Sequence, residues 1–393
     1  MNILMISDVY FPRINGVSTS IQTFKDEFER ANHKVILIAP EYTGSDEKHD
    51  SIIRIESRGI PYDPEDRMMK SSHIRRLTPE LKKYNFDLIH IQTPFVAHYS
   101  GIKIAKALDI PCIITYHTLF EEYLYHYIPI IPKQILRLFA RRFSSSQCNQ
   151  VQGVIAPSTV IVELLKTYGV KNSIKIIPTG INSQKFKVGD GNKFKSKFNI
   201  PKNKKILLNV SRVAFEKNIG LLLKLVNQVK QYIPEVMLII AGEGPAKNAY
   251  TEQAKQLNLD NHIAFVGYLD RDSELIDCYQ SADLFVFSSV TETQGLVLLE
   301  AMAAGTPVVS LAAMGTKDIL LGCKGARITD GEIDDFCNKV VSLLNNQKIY
   351  NDTKQAAIDY AQEWDSTTLA NKMVSFYQQL ITSKSISADY ADT

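Results

Sequence analysis

Short apolar runs alternate with segments of helical period along most of the chain. NILMIS (2–7), KVILIAP (34–40), DLIHIQ (87–92) and PCIITYH (111–117) are the first apolar runs. Between them, Ser18–Arg30 and His98–Leu108 repeat their apolar positions every three to four residues. Strands with no polar alternation, separated by helices, predict a parallel sheet covered on both faces. The pattern then restarts with KKILLNVSR (204–212), VMLIIAGEG (236–244), HIAFVGY (262–268), ADLFVFSS (282–289) and TPVVSL (306–311).

Two such series predict an α/β chain with two Rossmann-like, doubly wound domains. The change follows VIAPSTVIVELLKTYGV and IKIIPTGIN, which places the linker near Pro178–Lys185. The expected boundaries are an N-terminal domain over 1–182 and a C-terminal domain over 183–365. A last helix over 366–382 is expected to cross back to the first domain, followed by a polar, frayed tail to 393.

Composition narrows the class. A chain of 393 residues is too long for one ordinary core, and 45% apolar with 22% charged residues is a globular balance. A net charge of +3 gives no argument for a nucleic-acid partner. The five cysteines are scattered without CxxC spacing, which points to reduced thiols and a cytoplasmic setting rather than zinc or disulfides. MNILMISDVYF lacks a signal-peptide pattern, and there is no apolar run of about 18 residues to span a membrane.

Ligands of open α/β sheets sit beyond the carboxyl ends of the strands, so those loops carry the candidate chemistry. Gly16 precedes a helix whose first amides suit an anion, or it forms an ordinary glycine turn with an N-cap. His117 ends an apolar strand, a placement compatible with catalysis or with plain packing; His90 is a weaker candidate, and His98 and His126 weaker still. Arg212 and Lys217 stand in a strand-to-helix loop, where two cations suit a diphosphate or form a solvated basic loop. Glu243 lies between two glycines, in a tight turn or a ligand approach. In TETQGLVLLEAMAAGTPVVS (291–310), Gly295 opens a helix, Glu292 lies in the loop before it and Glu300 lies just over one turn inside. A nucleotide sugar has the matching outline, with a phosphate for the free amides of the helix that begins near Leu296 and a sugar for each carboxylate.

Taken together, these residues resemble the retaining glycosyltransferases of the GT-B fold, family four. The E-x7-E pattern is met by Glu292 and Glu300, the R-x4-K pattern by Arg212 and Lys217, and the N-terminal glycine loop by Asn15–Gly16–Val17. The resemblance implies two domains facing an interdomain cleft, and Glu300 on the nucleotide ribose. It implies Arg212, Lys217 and the Leu296 and Val297 amides on the diphosphate, and Glu292 on the transferred sugar. His117 would stand near the reacting centre and Gly16 near the donor phosphate or sugar. No cofactor and no metal held by an Asp-x-Asp motif is implied; the donor is a nucleotide diphosphate sugar, a UDP-sugar favoured over a GDP-sugar.

YFPRINGVSTSI, HIQTPF and YHTLFEEYLYHYI further resemble the bacterial transferases that glycosylate diacylglycerol. In 128–146, Ile135, Leu136, Leu138, Phe139 and Phe143 can line one side of a helix, with Lys133, Arg137, Arg141 and Arg142 around it. Such a helix either lies on an anionic membrane or packs on the core with a basic outer face. The loop LAAMGTKDIL (311–320) departs from the Gly-Gly loop ending in Glu that many family members carry, which leaves the donor sugar open. The expected activity is hexosyl transfer to a lipid such as diacylglycerol, with a peripheral location on the inner face of the plasma membrane. The alternatives are a soluble saccharide acceptor, a nucleotide-sugar epimerase, and a non-catalytic sugar-nucleotide-binding membrane protein.

Overall fold

The apolar runs form parallel strands buried on both faces. The computed structural model describes residues 1–42, 50–60, 63–117 and 133–391, and the chain divides into two units. Unit 1 comprises Met1–Gly180 and the chain from Ser366 onward; unit 2 comprises Ile181–Asp365.

Unit 1 contains β1 (Asn2–Ile6), β2 (Lys34–Pro40), β3 (Ile52–Ile55), β4 (Ser57–Ile60), β5 (Asp63–Met69), β6 (Leu88–Ile91), β7 (Cys112–Thr115), β8 (Gly153–Ala156) and β9 (Ile174–Ile176). Its parallel sheet has the order β3-β2-β1-β6-β7-β8-β9, with β4 and β5 paired separately as an antiparallel hairpin. Ile3, Leu4, Met5 and Ile6 are fully buried, as a strand covered by helices on both sides requires. The helices Gly16–Arg30 and Ser366–Ala391 meet over this sheet, where Phe24 and Phe28 pack with Met373, Phe376 and Tyr377. Their contact is also polar: Ser366 Oγ donates to Glu27 Oε1 at 2.7 Å and Thr367 Oγ1 to Glu27 Oε2 at 3.0 Å.

Three expectations need correction here. The C-terminal helix runs past 382 to Ala391, with no glycine or proline to interrupt it. Strand β7 ends at Thr115, so His117 lies two residues beyond the strand. In the segment 128–146 the apolar positions are divided between core and solvent. Residues 128–132 lie outside the described residues; the helix Lys133–Cys148 buries Leu136 and Ala140, whereas Ile135, Leu138 and Phe139 are each more than half exposed. Leu136, Ala140, Ser144 and Gln147, at helical spacing, take the core-facing seam.

Unit 2 contains β10 (Lys205–Val210), β11 (Val236–Ala241), β12 (Ile263–Gly267), β13 (Leu284–Phe287), β14 (Val308–Leu311) and β15 (Ala326–Thr329). The order β12-β11-β10-β13-β14-β15 is all parallel and reverses direction between β10 and β13. That reversal is a topological switch point, where neighbouring crossovers leave on opposite faces and open a crevice at the strands' carboxyl ends. Alternate residues of β10 serve the two faces. Ile206 and Leu208 pack with Leu298, Leu299 and Met302 of the helix Leu296–Ala303, and Leu207 packs with Leu222 and Val226 of the helix Ile219–Val229. Within unit 2 the first and last segments are tied where Ile181 N–H donates to the Trp364 carbonyl at 2.8 Å.

Candidate active site

At the switch point of unit 2, the loops after β10 and β13 meet. The first ends in a short turn, Phe215–Lys217, and Asn218 in the left-handed region (φ 54) starts the helix Ile219–Val229. The second runs from Ser288 to Gly295. Ser288 Oγ donates to the Asn218 carbonyl at 2.9 Å and so fixes one loop on the other. Lys217 Nζ then reaches Glu292 Oε1 at 2.6 Å. Burial alone would raise the Glu292 carboxyl; the Lys217 ammonium outweighs it and holds the group below its ordinary range. Both side chains keep a solvent-facing edge, at 17% and 20% exposure, so an incoming anion can reach the ammonium.

Arg212 is placed by its neighbours' backbone. Ser211 N–H donates to Ala241 at 3.1 Å, Val213 N–H to Glu243 at 2.9 Å, and Ala246 N–H to Val213 at 2.9 Å. This close approach explains Gly242: at φ 134, a Cβ there would stand 2.0 Å from the Ser211 carbonyl oxygen. Glu243 itself is paired with Lys247 Nζ at 2.9 Å, one helical turn along.

Gly295 takes φ 97 and opens the helix Leu296–Ala303, so the amides of Leu296 and Val297 lie in a first turn with no earlier turn to bond. The loop after β14 braces this entrance. Gly315 N–H donates to the Glu292 carbonyl at 2.9 Å, and a Cβ on Gly315 would fall 1.9 Å from the Thr293 oxygen. Glu300 lies one turn inside the helix with its side chain 3% exposed. Its Oε1 accepts from Arg271 Nη2 at 2.6 Å and its Oε2 from the Tyr279 hydroxyl at 2.8 Å. The sequence reading missed both partners. Arg271 stands between Asp270 and Asp272, as a solvated loop residue would, and Tyr279 reads as core in the helix Glu274–Ser281.

The remaining candidates belong to unit 1. Gly16 begins the helix Gly16–Arg30, whose Asn15 cap accepts from Ser18 N–H at 2.8 Å. A Cβ on Gly16 would meet nothing within 4 Å, so the chain's own packing does not require glycine there. His117 follows β7, and its Nε2 lies 3.0 Å from Gln92 Oε1. His90 is spent in the core, with Nδ1 at 2.6 Å from the Tyr377 hydroxyl and Nε2 at 2.6 Å from Thr115 Oγ1. His98 is buried in the helix Val96–Leu108, and His126 lies outside the described residues. Asp8 caps that same helix, accepting from Ala97 N–H at 3.0 Å and Phe95 N–H at 3.1 Å.

These groups give unit 1 a pH response. Burial pushes His90 down to about 3, helped by the charge of His117, and pushes His98 and His117 down to about 4. His117 is thus neutral at pH 7. A histidine lowered on folding stabilises the fold above its unfolded value of 6.5 and withdraws that contribution as pH falls towards 4. Burial raises Asp8 to about 6, which acts in the opposite direction below pH 6. Each group carries a slope of up to about 1.4 kcal/mol per pH unit, so between pH 6 and 4 a net of two histidines, about 3 kcal/mol per unit, is lost. Hydrogen exchange of β6 and β7 is expected to quicken steeply on moving from pH 7 to 5 after correction for intrinsic rates; unchanged protection contradicts this balance.

Comparison with known proteins agrees with the arrangement. The profile described as Glycosyltransferase Family 4 matches residues 14–185, and that described as Glycosyl transferases group 1 matches residues 190–363. The chain is 37% identical over 320 residues to the alpha-monoglucosyldiacylglycerol synthase of Streptococcus pneumoniae, covering 79% of this chain and 71% of that protein. It is 28% identical over 356 residues to the Acholeplasma laidlawii protein of the same name, covering 88% and 87%. Among solved structures, the Anabaena protein HepE in complex with UDP superposes with a TM-score of 0.76 at 18% identity, covering 96% of this chain and all of that one. Two doubly wound sheets, the motif residues at the switch point and this similarity lead to one conclusion: the chain is a glycosyltransferase of the GT-B fold and belongs to glycosyltransferase family 4.

Proposed function

We propose that the protein transfers a hexose, with retention of anomeric configuration, from a nucleotide diphosphate sugar to the hydroxyl of a membrane lipid such as diacylglycerol. A UDP-sugar is the favoured donor over a GDP-sugar. The observation that carries this reading is the Lys217–Glu292 pair beside the glycine-opened helix at the switch point of unit 2. A cation, a carboxylate and a helix start within one crevice suit a sugar diphosphate.

In this reading Arg212, Lys217 and the amides of Leu296 and Val297 hold the diphosphate and stabilise the charge that grows on it as it departs. Glu292 contacts the transferred sugar and Glu300 the ribose, with Glu243 and Gly295 lining the approach. From unit 1, Gly16 serves the donor phosphate or sugar, and His117 serves the reacting centre as a neutral hydrogen-bonding group. The acceptor oxygen attacks the anomeric carbon from the face that the diphosphate leaves. The carbon–oxygen bond to the diphosphate breaks, and the acceptor proton passes to the departing phosphate oxygen. The ion pair with Lys217 disfavours Glu292 as a nucleophile, and a trapped glycosyl-Glu292 adduct would replace this mechanism with double displacement.

Two observations support a lipid acceptor. The chain is similar to proteins named as glucosyldiacylglycerol synthases. The helix Lys133–Cys148 exposes Ile135, Leu138 and Phe139 among the exposed Arg137, Arg141 and Arg142, a face suited to the inner, anionic leaflet of the plasma membrane. Among the described residues no helix is long and apolar enough to cross a membrane, so attachment in this reading is peripheral. Proton NMR of lipid extracted after incubation with UDP-glucose, UDP-galactose or GDP-mannose and diacylglycerol vesicles tests the proposal. An α-linked hexosyl lipid from one donor is expected; a β-linked product, or none from any donor, refutes it.

A further inference from the structure

Glu300 is a buried carboxylate with two donors of its own. Its oxygens are engaged one each, Oε1 by Arg271 Nη2 at 2.6 Å and Oε2 by the Tyr279 hydroxyl at 2.8 Å, while the side chain is only 3% exposed. Burying an ionised carboxylate is costly unless charge and hydrogen bonds compensate it. Single donors on separate oxygens compensate the charge and also fix the plane of the carboxylate. Each oxygen keeps lone-pair capacity for one more donor.

Both donors are themselves held. Arg271 sits in the loop between β12 and the helix Glu274–Ser281. There the Asp270 carboxylate accepts from Ser273 Oγ at 2.7 Å and Asp272 N–H at 3.1 Å, and Asp270 N–H donates to Glu274 Oε2 at 3.2 Å. These reciprocal hydrogen bonds close the loop around Arg271. Burial works against the Arg271 charge, but the Glu300 carboxylate outweighs it and raises the pKa. Tyr279 is fully buried, its ring edge-on to Phe186 with centroids 5.8 Å apart, and its carbonyl accepts from Thr306 Oγ1 at 3.0 Å. A carboxylate locked in this way holds its two oxygens in a fixed orientation, a match for two vicinal hydroxyls.

We infer that Arg271 and Tyr279 are positioning residues that present Glu300 as a rigid two-point acceptor for a vicinal diol. The inference rests on the nucleotide site proposed above, in which that diol is the ribose 2′- and 3′-hydroxyl pair. It assigns ribose recognition to three side chains from separate segments. Discrimination between ribose and its deoxy forms then depends on two residues that need not touch the nucleotide.

The test is calorimetric binding of UDP and GDP and of their 2′,3′-dideoxy forms to wild type, Arg271→Ala, Tyr279→Phe and Glu300→Gln. Wild type is expected to bind one ribonucleotide about tenfold or more tighter than its dideoxy form. Tyr279→Phe and Arg271→Ala each remove about three- to thirtyfold of the ribonucleotide affinity and leave dideoxy affinity within about twofold. If both variants weaken the two forms equally, Arg271 and Tyr279 act on the base, the phosphates or the fold, and the inference falls while the nucleotide site stands. If wild type binds neither UDP nor GDP, the nucleotide site itself falls and the inference with it. Tyr279→Phe removes one oxygen and no ring volume, so its result stands even where Arg271→Ala is poorly folded.

Discussion

Replacing Lys217 with alanine is expected to lower kcat by about 10²–10³-fold, about 3–4 kcal/mol of transition-state stabilisation. The ammonium is the point charge at the crevice in unit 2, and in the proposed reaction its value rises as charge moves onto the leaving diphosphate. Binding of the intact donor should weaken by less than about tenfold, because Arg212 and the helix start at Leu296 remain. Single-turnover rates with titrated donor separate the two effects. A loss of donor affinity with kcat unchanged would assign Lys217 to ground-state binding alone. The same substitution strips Glu292 of its cation, and its carboxyl should titrate upward as a result, since burial is the largest influence on it and acts in that direction.

The triple substitution Ile135→Ser, Leu138→Ser and Phe139→Ser is expected to reduce binding to anionic vesicles by at least about 100-fold. Each of these side chains is more than half exposed, and inserting one into the acyl boundary contributes about 1–2 kcal/mol. Their exposure predicts that the fold is spared, with stability changed by no more than about 0.5 kcal/mol. Nucleotide affinity should be untouched, because none of Ile135, Leu138 and Phe139 is among the residues proposed to hold the nucleotide. Vesicle sedimentation measures the first quantity and calorimetry the last. Undiminished sedimentation would remove the helix Lys133–Cys148 from the membrane account.

Much of this architecture is legible in the chain because parallel strands advertise themselves. KVILIAP is a continuous apolar run that becomes β2 over its full length, and NILMIS and VMLIIAGEG lose only their ends. From that strand series follows the switch point, and from the switch point the loops holding Lys217 and Glu292. Strands with weak apolar patterns escape such reading. DPEDRMM in β5 is mostly charged, and β9 is three residues long. The helix Lys133–Cys148 shows a second limit: five apolar positions lie near one side, but small residues at Ala140 and Ser144 decide which of them the core takes. Arg271 and Tyr279 show a third. Their meeting with Glu300 depends on how the helix Glu274–Ser281 packs against Leu298, Leu299 and Met302, a tertiary relation without a local signature.

The most direct test of glycosyl transfer to lipid follows a labelled hexose from its nucleotide donor, with and without anionic vesicles containing diacylglycerol. The account predicts nucleoside diphosphate release that requires diacylglycerol in the vesicles, with the label recovered in lipid mole for mole. Release at the same rate without vesicles, with the label in free sugar or a soluble saccharide, would contradict it.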